Sequence, residues 1–153
     1  MEIQSLKINA NSNATESISL IKNCFSFLIP SYDKTLLTTK QVSGGYGNPI
    51  ITLKFHSSNK NNNLTTLKHI ASELNPQDKI QIAEELERRI NPKGVFHVRF
   101  SKRDLAQQKI ILSTQSDSFR VLMKFSLHNH RIDIKKNFNE LREFLSEIGI
   151  IES

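Results

Sequence analysis

The chain has 153 residues, and its 21 lysines and arginines exceed its 15 aspartates and glutamates, which gives a formal net charge of +6. This length predicts one domain spanning 1–153 with enough apolar residues to bury a core. One cysteine, Cys24, excludes an internal disulfide framework, and without a spanning apolar run or a basic leader the sequence predicts a cytoplasmic protein with no membrane partner.

The first third of the chain is predicted to contain three strands and one helix. Alternating apolar and polar residues predict strands over 3–10, 35–42 and 50–56. Thr15 is the predicted N-cap of a helix over 16–28, which ends before Pro30. Apolar residues cover much of the circumference of this helix, so we expect it to be buried.

A polar, asparagine-rich run and two helices follow. The run 57–63 lacks the apolar residues of a core element and is predicted to be a loop. Apolar spacing predicts helices over 64–74 and 76–90, with Asn75 capping the second. On that second helix, two pairs four residues apart predict a solvated charged face rather than catalytic carboxylates: Glu84 with Arg88, and Glu85 with Arg89.

The last third is predicted to contain three strands and a closing helix. Alternation bounded by polar turn residues predicts neighbouring antiparallel strands over 95–101, 109–115 and 119–128. Apolar residues then recur at intervals of four and three: Ile134, Phe138, Leu141, Leu145 and Ile148. The helix that carries them is predicted to end at Gly149 and to pack on the sheet, with a dimer seam as the alternative.

The predicted strands share a consistent division between two faces, because successive side chains of a strand point to opposite sides. The inner set is apolar, as in Phe96, Val98 and Phe100. The outer set is polar and mostly basic: Thr52, Lys54, His56, His97, Arg99, Arg120, Lys124 and His128. We therefore predict an α+β fold with a single mixed, largely antiparallel sheet, helices packed on one face and the other face open to water.

The basic excess is concentrated in one segment. From Lys93 to Lys136 there are ten lysines or arginines against three aspartates. Such a local positive field favours a polyanionic partner, and a cationic sheet face can bind RNA through its phosphates. The outer positions carry no row of aromatic side chains for base stacking, so recognition of the RNA backbone is favoured over sequence reading.

Three glycines and a proline lie together in the segment 43–49, just before the third predicted strand. This composition predicts a tight, rigid loop that presents one aromatic side chain, Tyr46. The loop lacks the Lys-Ser/Thr ending of a phosphate-binding P-loop and leads into a strand, which argues against nucleotide hydrolysis. Its clustered amides either cradle one RNA phosphate or simply set the geometry of the two strands.

Two segments resemble one known family. The loop sequence Gly-Tyr-Gly-Asn-Pro-Ile at 45–50, followed by an apolar strand, resembles the signature loop of a family of small archaeal proteins described as RNA-binding or exosome-associated. The segment 96–106 resembles that family's strand ending in Leu-Arg-Leu-Asp-Lys-Gln-Ala-Ala. Arg99 and Lys102 are kept there. The departures are Ser101 for the acid, Arg103 for the glutamine and, in the loop, Gly45 for the usual histidine.

The resemblance implies a fold similar to that of the large-subunit ribosomal protein that binds 5S rRNA. It also implies RNA binding and association with the archaeal exosome. The positions carried over from the family are Gly44, Tyr46, Gly47, Asn48, Pro49, Arg99 and Lys102.

Charge placement and resemblance together predict a non-catalytic, RNA-binding accessory protein. The predicted RNA contacts are Gly44, Tyr46, Gly47, Asn48, Lys54, His97, Arg99, Lys102, Arg103, Arg120 and Lys124. No cofactor is predicted, and no metal site, because His128 and His130 with Asp133 lack a clear further ligand. The alternative is a protein-interaction or dimerisation module without direct nucleic-acid binding, and a homodimer is left open.

Overall fold

Strands and helices are interspersed along the chain in the computed structural model, which describes residues 1–44, 47–126 and 134–152. The five strands of these residues are β1 (Ile3–Ser12), β2 (Leu37–Ser43), β3 (Pro49–Ser57), β4 (Val95–Phe100) and β5 (Phe119–Phe125). The six α-helices are α1 (Ile18–Leu28), α2 (Lys60–Glu73), α3 (Pro76–Glu84), α4 (Leu86–Arg89), α5 (Lys102–Ala106) and α6 (Ile134–Ile148), and a 3₁₀ turn covers Lys34–Leu36. None of the described helices is both long and apolar enough to traverse a lipid bilayer.

The strands form one sheet in the order β2-β3-β1-β5-β4. Every pairing is antiparallel, so the sheet is not mixed, although the predicted α+β class is confirmed. The first strand lies at the centre and pairs with a segment 39 to 51 residues away on one side and with one more than one hundred residues away on the other. This order places β2 at one edge and β4 at the other.

The core lies on one face of the sheet, where alternate strand residues meet the helices. Phe25 of α1 packs edge-on against Phe119 of β5 with ring centroids 5.0 Å apart, and Phe144 of α6 packs similarly on Phe125 at 5.7 Å. Full burial of such a side chain stabilises the fold by roughly 1.5–3 kcal/mol. Leu141 is also buried in this core, so the apolar stripe of α6 packs within the molecule as predicted.

The polar run before α2 is not a loop, which corrects the expectation for 57–63. Asn59 caps α2 by accepting a hydrogen bond from the backbone N–H of Asn62, and the helix begins at Lys60. Asn63 is fully buried, and its Nδ2 donates to the carbonyl oxygens of Ile3 and Ser57. A buried asparagine here satisfies two strand carbonyls, and this long-range use is invisible in the composition of the run.

Two further boundaries differ from the sequence pattern. The caps of α1 and α3 are Ser17 and Asn75, so Thr15 is not the N-cap of the first helix. The helix predicted over 76–90 divides at Glu85, whose backbone leaves helical geometry at φ −98° and ψ 10°. Because of this break, α4 turns towards β4, where Ile90 forms an isolated bridge with Phe96.

The segment 109–115 is not a strand of the sheet. It contributes one isolated bridge, Leu112 with Phe100, while Ser113 donates its backbone N–H to the carbonyl of Arg99 at 3.0 Å. The five-residue helix α5, capped by Ser101, lies between β4 and this segment and was not predicted. The segment therefore borders the end of β4 instead of entering the sheet as a strand between β4 and β5, which pair with each other.

Candidate nucleic-acid interface

The sheet face that carries no helices collects cations from every strand. Strand alternation turns the side chains opposite to the core set onto this face, as predicted. Its six lysines and arginines are Lys7, Lys40, Lys54, Arg99, Arg120 and Lys124. None of the five described strands contains an aspartate or glutamate, so this surface, called the open face below, has one sign of charge.

The strand register aligns part of this set into a row across the sheet. Thr38 pairs with Lys54, and Lys54 pairs with Asn9. Asn9 pairs in turn with Arg120, which pairs with Arg99. Neighbouring strands lie about 4.8 Å apart, so Lys54 and Arg99 are separated by about 14 Å across the face. Cations from three strands therefore share one line on a common surface.

The cations of this row, and Lys124 on the same strand as Arg120, are available to an external anion. Lys54, Arg120 and Lys124 are exposed, and Arg99 is half-buried with its Nη1 donating to the carbonyl of Ser116 at 3.4 Å. Within the described ranges, none of these four forms an ion pair with a carboxylate. Like charges directly opposite in a ladder repel, so the pairing of Arg99 with Arg120 leaves a concentrated positive potential.

His97 lies beside this positive potential, next to the row. Its Nδ1–H donates to the backbone carbonyl of Arg89 at 3.2 Å, which ties β4 to the end of α4. Burial lowers the pKa of the His97 imidazole below its usual value of 6.5, and nearby arginines, Arg89 first and then Arg120 and Arg99, lower this pKa further. The ring is therefore predominantly neutral at pH 7.

The glycine loop lies at the turn between β2 and β3, at the sheet edge farthest from β4. Gly44 donates its N–H to the carbonyl of Asn48 at 2.7 Å, and a Cβ on Gly44 would come within 2.6 Å of that same oxygen. Gly47 has φ +77°, a conformation that favours glycine. These two glycines are required by the turn itself. Tyr46 and Gly45 lie outside the described residues.

Two predicted contacts lie on α5, away from the row. The Nζ of Lys102 donates to the Asn11 carbonyl at 2.8 Å and forms ion pairs with Glu16 at 3.0 Å and Asp117 at 2.7 Å. Its side chain is only 10% exposed. Arg103, by contrast, is exposed at the same end of the sheet. The structure thus brings Lys54, His97, Arg99, Arg120 and Lys124 onto the open face, and places the glycine loop and α5 at its margin.

Sequence reasoning omitted four cations near this face. Lys7 alternates with apolar residues along β1, so the period-two pattern could have identified it, whereas Lys40 lies among polar residues of β2 and gives no such signal. Arg88 and Arg89 follow a helical period and give no such signal. They reach the edge of the face because the helix breaks at Glu85, a feature set by tertiary packing.

The remaining candidate chemistries concern Cys24 and the two histidines His128 and His130. Burial raises the pKa of the Cys24 thiol to about 11, against a smaller lowering by Lys102, and the side chain is 2% exposed, so this cysteine belongs to the core. His128, His130 and Asp133 lie outside the described residues. Within 1–44, 47–126 and 134–152, no three histidine, cysteine or acidic side chains gather as a metal site would require.

A sheet covered by helices on one side and lined with cations on the other defines a class of small α+β proteins with one open, basic sheet face. Within this class, residues 5–125 match the family described as RNA binding, and the chain belongs to that family. No curated protein matches the sequence.

Several solved archaeal structures have a similar fold. A DUF54 protein from Archaeoglobus fulgidus is 22% identical with a TM-score of 0.79, covering 92% of this chain and 98% of that one. A DUF54 protein from Methanothermobacter thermautotrophicus is 15% identical with a TM-score of 0.76, covering 95% and 99%. A UPF0201 protein from Methanococcus jannaschii is 10% identical with a TM-score of 0.58, covering 97% and 95%. At these identities the likeness shows the fold alone.

Proposed function

We propose that the protein is a non-catalytic accessory protein that binds the phosphate backbone of RNA on its open face. The observation that carries this proposal is the row of cations from three strands, in a sheet whose described strands contain no acidic residue. Phosphates that replace the counterions of these side chains give affinity without sequence information. Membership of the RNA-binding family supports the same partner.

Backbone recognition is favoured over base reading by the chemistry of the face. The outward positions of the described strands carry mostly lysine, arginine, asparagine, threonine and histidine, with a few aliphatic side chains such as Leu122 and Val95, and they carry no row of phenylalanine or tyrosine. Stacking on such aromatic rows is how RNA-binding sheets usually hold unpaired bases. We therefore expect affinity that depends strongly on salt and weakly on sequence.

The margins of the face complete the proposed site. Gly44, Gly47 and Asn48 form the turn at one edge, and Tyr46 is proposed to stack on a base there. Arg103 lies beyond β4 and is proposed to contact a further phosphate. Lys102, whose ammonium group is held by Glu16 and Asp117, is assigned the role of fixing that end of the sheet.

The test is charge reversal on the face against charge reversal elsewhere. The triple variant Lys54→Glu, Arg120→Glu, Lys124→Glu should lose binding of a generic single-stranded RNA, measured by fluorescence anisotropy at low salt. The matched control reverses three exposed cations of the helical layer: Lys22→Glu, Lys68→Glu and Arg142→Glu. Equal affinity of the two folded variants would refute the open face as the binding surface.

Three further parts of the proposal rest on the resemblance of the glycine loop, and of the segment around Arg99, to the archaeal RNA-binding family. We propose on that basis a fold related to the 5S-rRNA-binding ribosomal protein, a cytoplasmic location and association with the exosome. Co-sedimentation of the protein with a purified archaeal exosome, with and without RNA, tests the last of these. Sedimentation with the exosome that survives nuclease treatment is the expected result, and no co-sedimentation would refute the association.

A protein-interaction or dimerisation module is the second candidate function. The observation that favours it is the edge position of β2, which among the described strands pairs with β3 alone and exposes Val42. Edge strands present unpaired backbone groups to another chain. A mass that doubles with concentration, together with no RNA binding by the wild-type chain, would favour this function over the first.

A further inference from the structure

A polar cleft lies where the open face meets α4. Four arginines line it, namely Arg88, Arg89, Arg99 and Arg120, together with His97 and Glu85. Its volume is about 270 Å³. Sites for drug-sized molecules usually measure roughly 300–1,000 Å³, so this cleft lies just below that range and has room for a small group such as one phosphate.

The charges of the cleft do not cancel. Glu85 forms ion pairs with Arg88 at 2.8 Å and with Arg89 at 2.5 Å. It is the one carboxylate among the described residues that line the cleft. Burial by itself raises the pKa of Glu85, but hydrogen bonds and charges from these arginines bring the pKa below its usual value, so the group is ionised. Four guanidinium groups and one carboxylate give the cleft a net charge of plus three at neutral pH.

The arginines differ in how much of their hydrogen-bonding capacity is used. Arg89 is 12% exposed and donates to both Glu85 and the carbonyl of His97, so its role is to hold the wall of the cleft. Arg88 is 71% exposed, and Arg120 lies on the exposed face. Arg99 makes one long hydrogen bond, to a backbone carbonyl. These three retain free N–H groups, and such groups bind phosphate oxygens in pairs.

The imidazole of His97 is oriented for the same ligand. Its Nδ1–H is held by the carbonyl of Arg89, which leaves Nε2 as the nitrogen free to meet a ligand. A bound anion would offset the neighbouring arginine charges and favour protonation of the ring. His97 would then add a further charge-assisted hydrogen bond to the phosphate.

We propose that this cleft binds a phosphate monoester, and that its source is the phosphorylated end of an RNA strand. This inference rests on the proposed RNA-binding function, since the cleft opens onto the same face through Arg99 and Arg120. A terminal phosphate carries between one and a half and two negative charges at neutral pH, by the same chemistry as a phosphorylated side chain, with about three acceptor oxygens. An internal phosphodiester carries one charge, so a cleft with a net charge of three discriminates in favour of the end.

The experiment compares three versions of one short RNA: with a 5′-phosphate, with a 3′-phosphate and with hydroxyl groups at both ends. We expect at least one phosphorylated form to bind the wild-type protein about tenfold more tightly than the hydroxyl form, a factor that corresponds to about 1.4 kcal/mol and is of the order of one added charge-assisted hydrogen bond. The double variant Arg88→Gln, Arg99→Gln should lose this preference. Equal affinity of the wild type for all three RNAs would overturn the inference while leaving backbone binding intact.

The matched control neutralises two cations of the open face outside the cleft, Lys7→Gln and Lys124→Gln. This control variant should bind all three RNAs more weakly by the same factor and should keep the preference for the phosphorylated end. If the preference falls equally in both double variants, the cleft is not the subsite.

Inorganic phosphate separates failure of the inference from failure of the proposed function. A saturable shift of the His97 ring resonances on titration with inorganic phosphate, absent in the Arg88→Gln, Arg99→Gln variant, is expected. If the shift is observed but no RNA binds, the cleft is still a site for a phosphate monoester, and RNA is rejected as the source of that phosphate. Absence of both the shift and end preference would overturn the site itself.

Discussion

At the scale of single residues, His97 links the chemistry of the open face to the stability of the fold. Its ring is partly buried where α4 lies beside β4, and its Nδ1–H donates a hydrogen bond to the carbonyl of Arg89. Burial and neighbouring arginines lower its pKa. The sequence placed His97 on the outer face by strand alternation, but it could not reveal the arginines from α4, because their approach depends on the break at Glu85.

This lowered pKa predicts a pH dependence of stability. As the pH falls below the unfolded value of about 6.5, the unfolded chain takes up a proton before the folded ring does, so the free energy of unfolding decreases. The decrease should level off once the pH is below the folded pKa. Urea unfolding of wild type and His97→Gln at several pH values checks this, with the variant lacking that part of the decrease. Parallel curves for the two proteins would contradict the assignment, and the pKa of the ring can be read directly by NMR.

At the scale of elements, Lys102 joins three parts of the chain that are distant in sequence. It begins α5, and its ammonium group reaches the end of β1, the approach to α1 and the loop before β5. An amine that is largely removed from water is stabilised only while its partners remain. The family resemblance assigned Lys102 to the RNA site, and no local signal in the sequence identifies its two carboxylate partners.

We expect Lys102→Met to lower the free energy of unfolding by about 1–3 kcal/mol, since the ion pairs are lost and two partly exposed carboxylates remain. The matched control is Arg103→Met at the next, exposed position, where a surface change is expected within about 0.5 kcal/mol. Urea titration of both variants at pH 7 measures the difference. If the two variants unfold at the same denaturant concentration, Lys102 does not hold these elements together.

Element prediction succeeded where pattern and packing agreed. The strands containing Leu53 and Val98 alternate regularly and are confirmed, as is the closing helix. The segment around Leu112 alternates as well, but α5 and the turn at Gln108, with φ 60°, direct it along the end of β4. Asn63 shows the opposite case, in which a polar residue is buried because its amide satisfies two strand carbonyls.

At the scale of the whole molecule, the two layers differ in their acidic side chains. The described strands carry cations without acids, whereas the helices carry both signs, with glutamates such as Glu84, Glu87 and Glu143 beside lysines and arginines. Alternation within each strand was sufficient to predict which side chains share the open face. It was not sufficient to predict the row, because the register that sets Lys54 and Arg99 in line arises from pairings between distant segments.

This division of charge predicts how RNA affinity depends on salt. The logarithm of the association constant should fall linearly with the logarithm of salt concentration, with a slope of about −0.7 for each phosphate neutralised on a single strand. Neutralising one cation of the row, as in Lys54→Gln or Arg120→Gln, should make the slope shallower by about one phosphate contact. Lys68→Gln, which removes the same charge from the exposed surface of α2, should leave the slope unchanged. Anisotropy titrations at four or more salt concentrations measure these slopes. Identical slopes for Lys54→Gln and Lys68→Gln would mean that net charge, rather than the arrangement on the sheet, attracts the RNA.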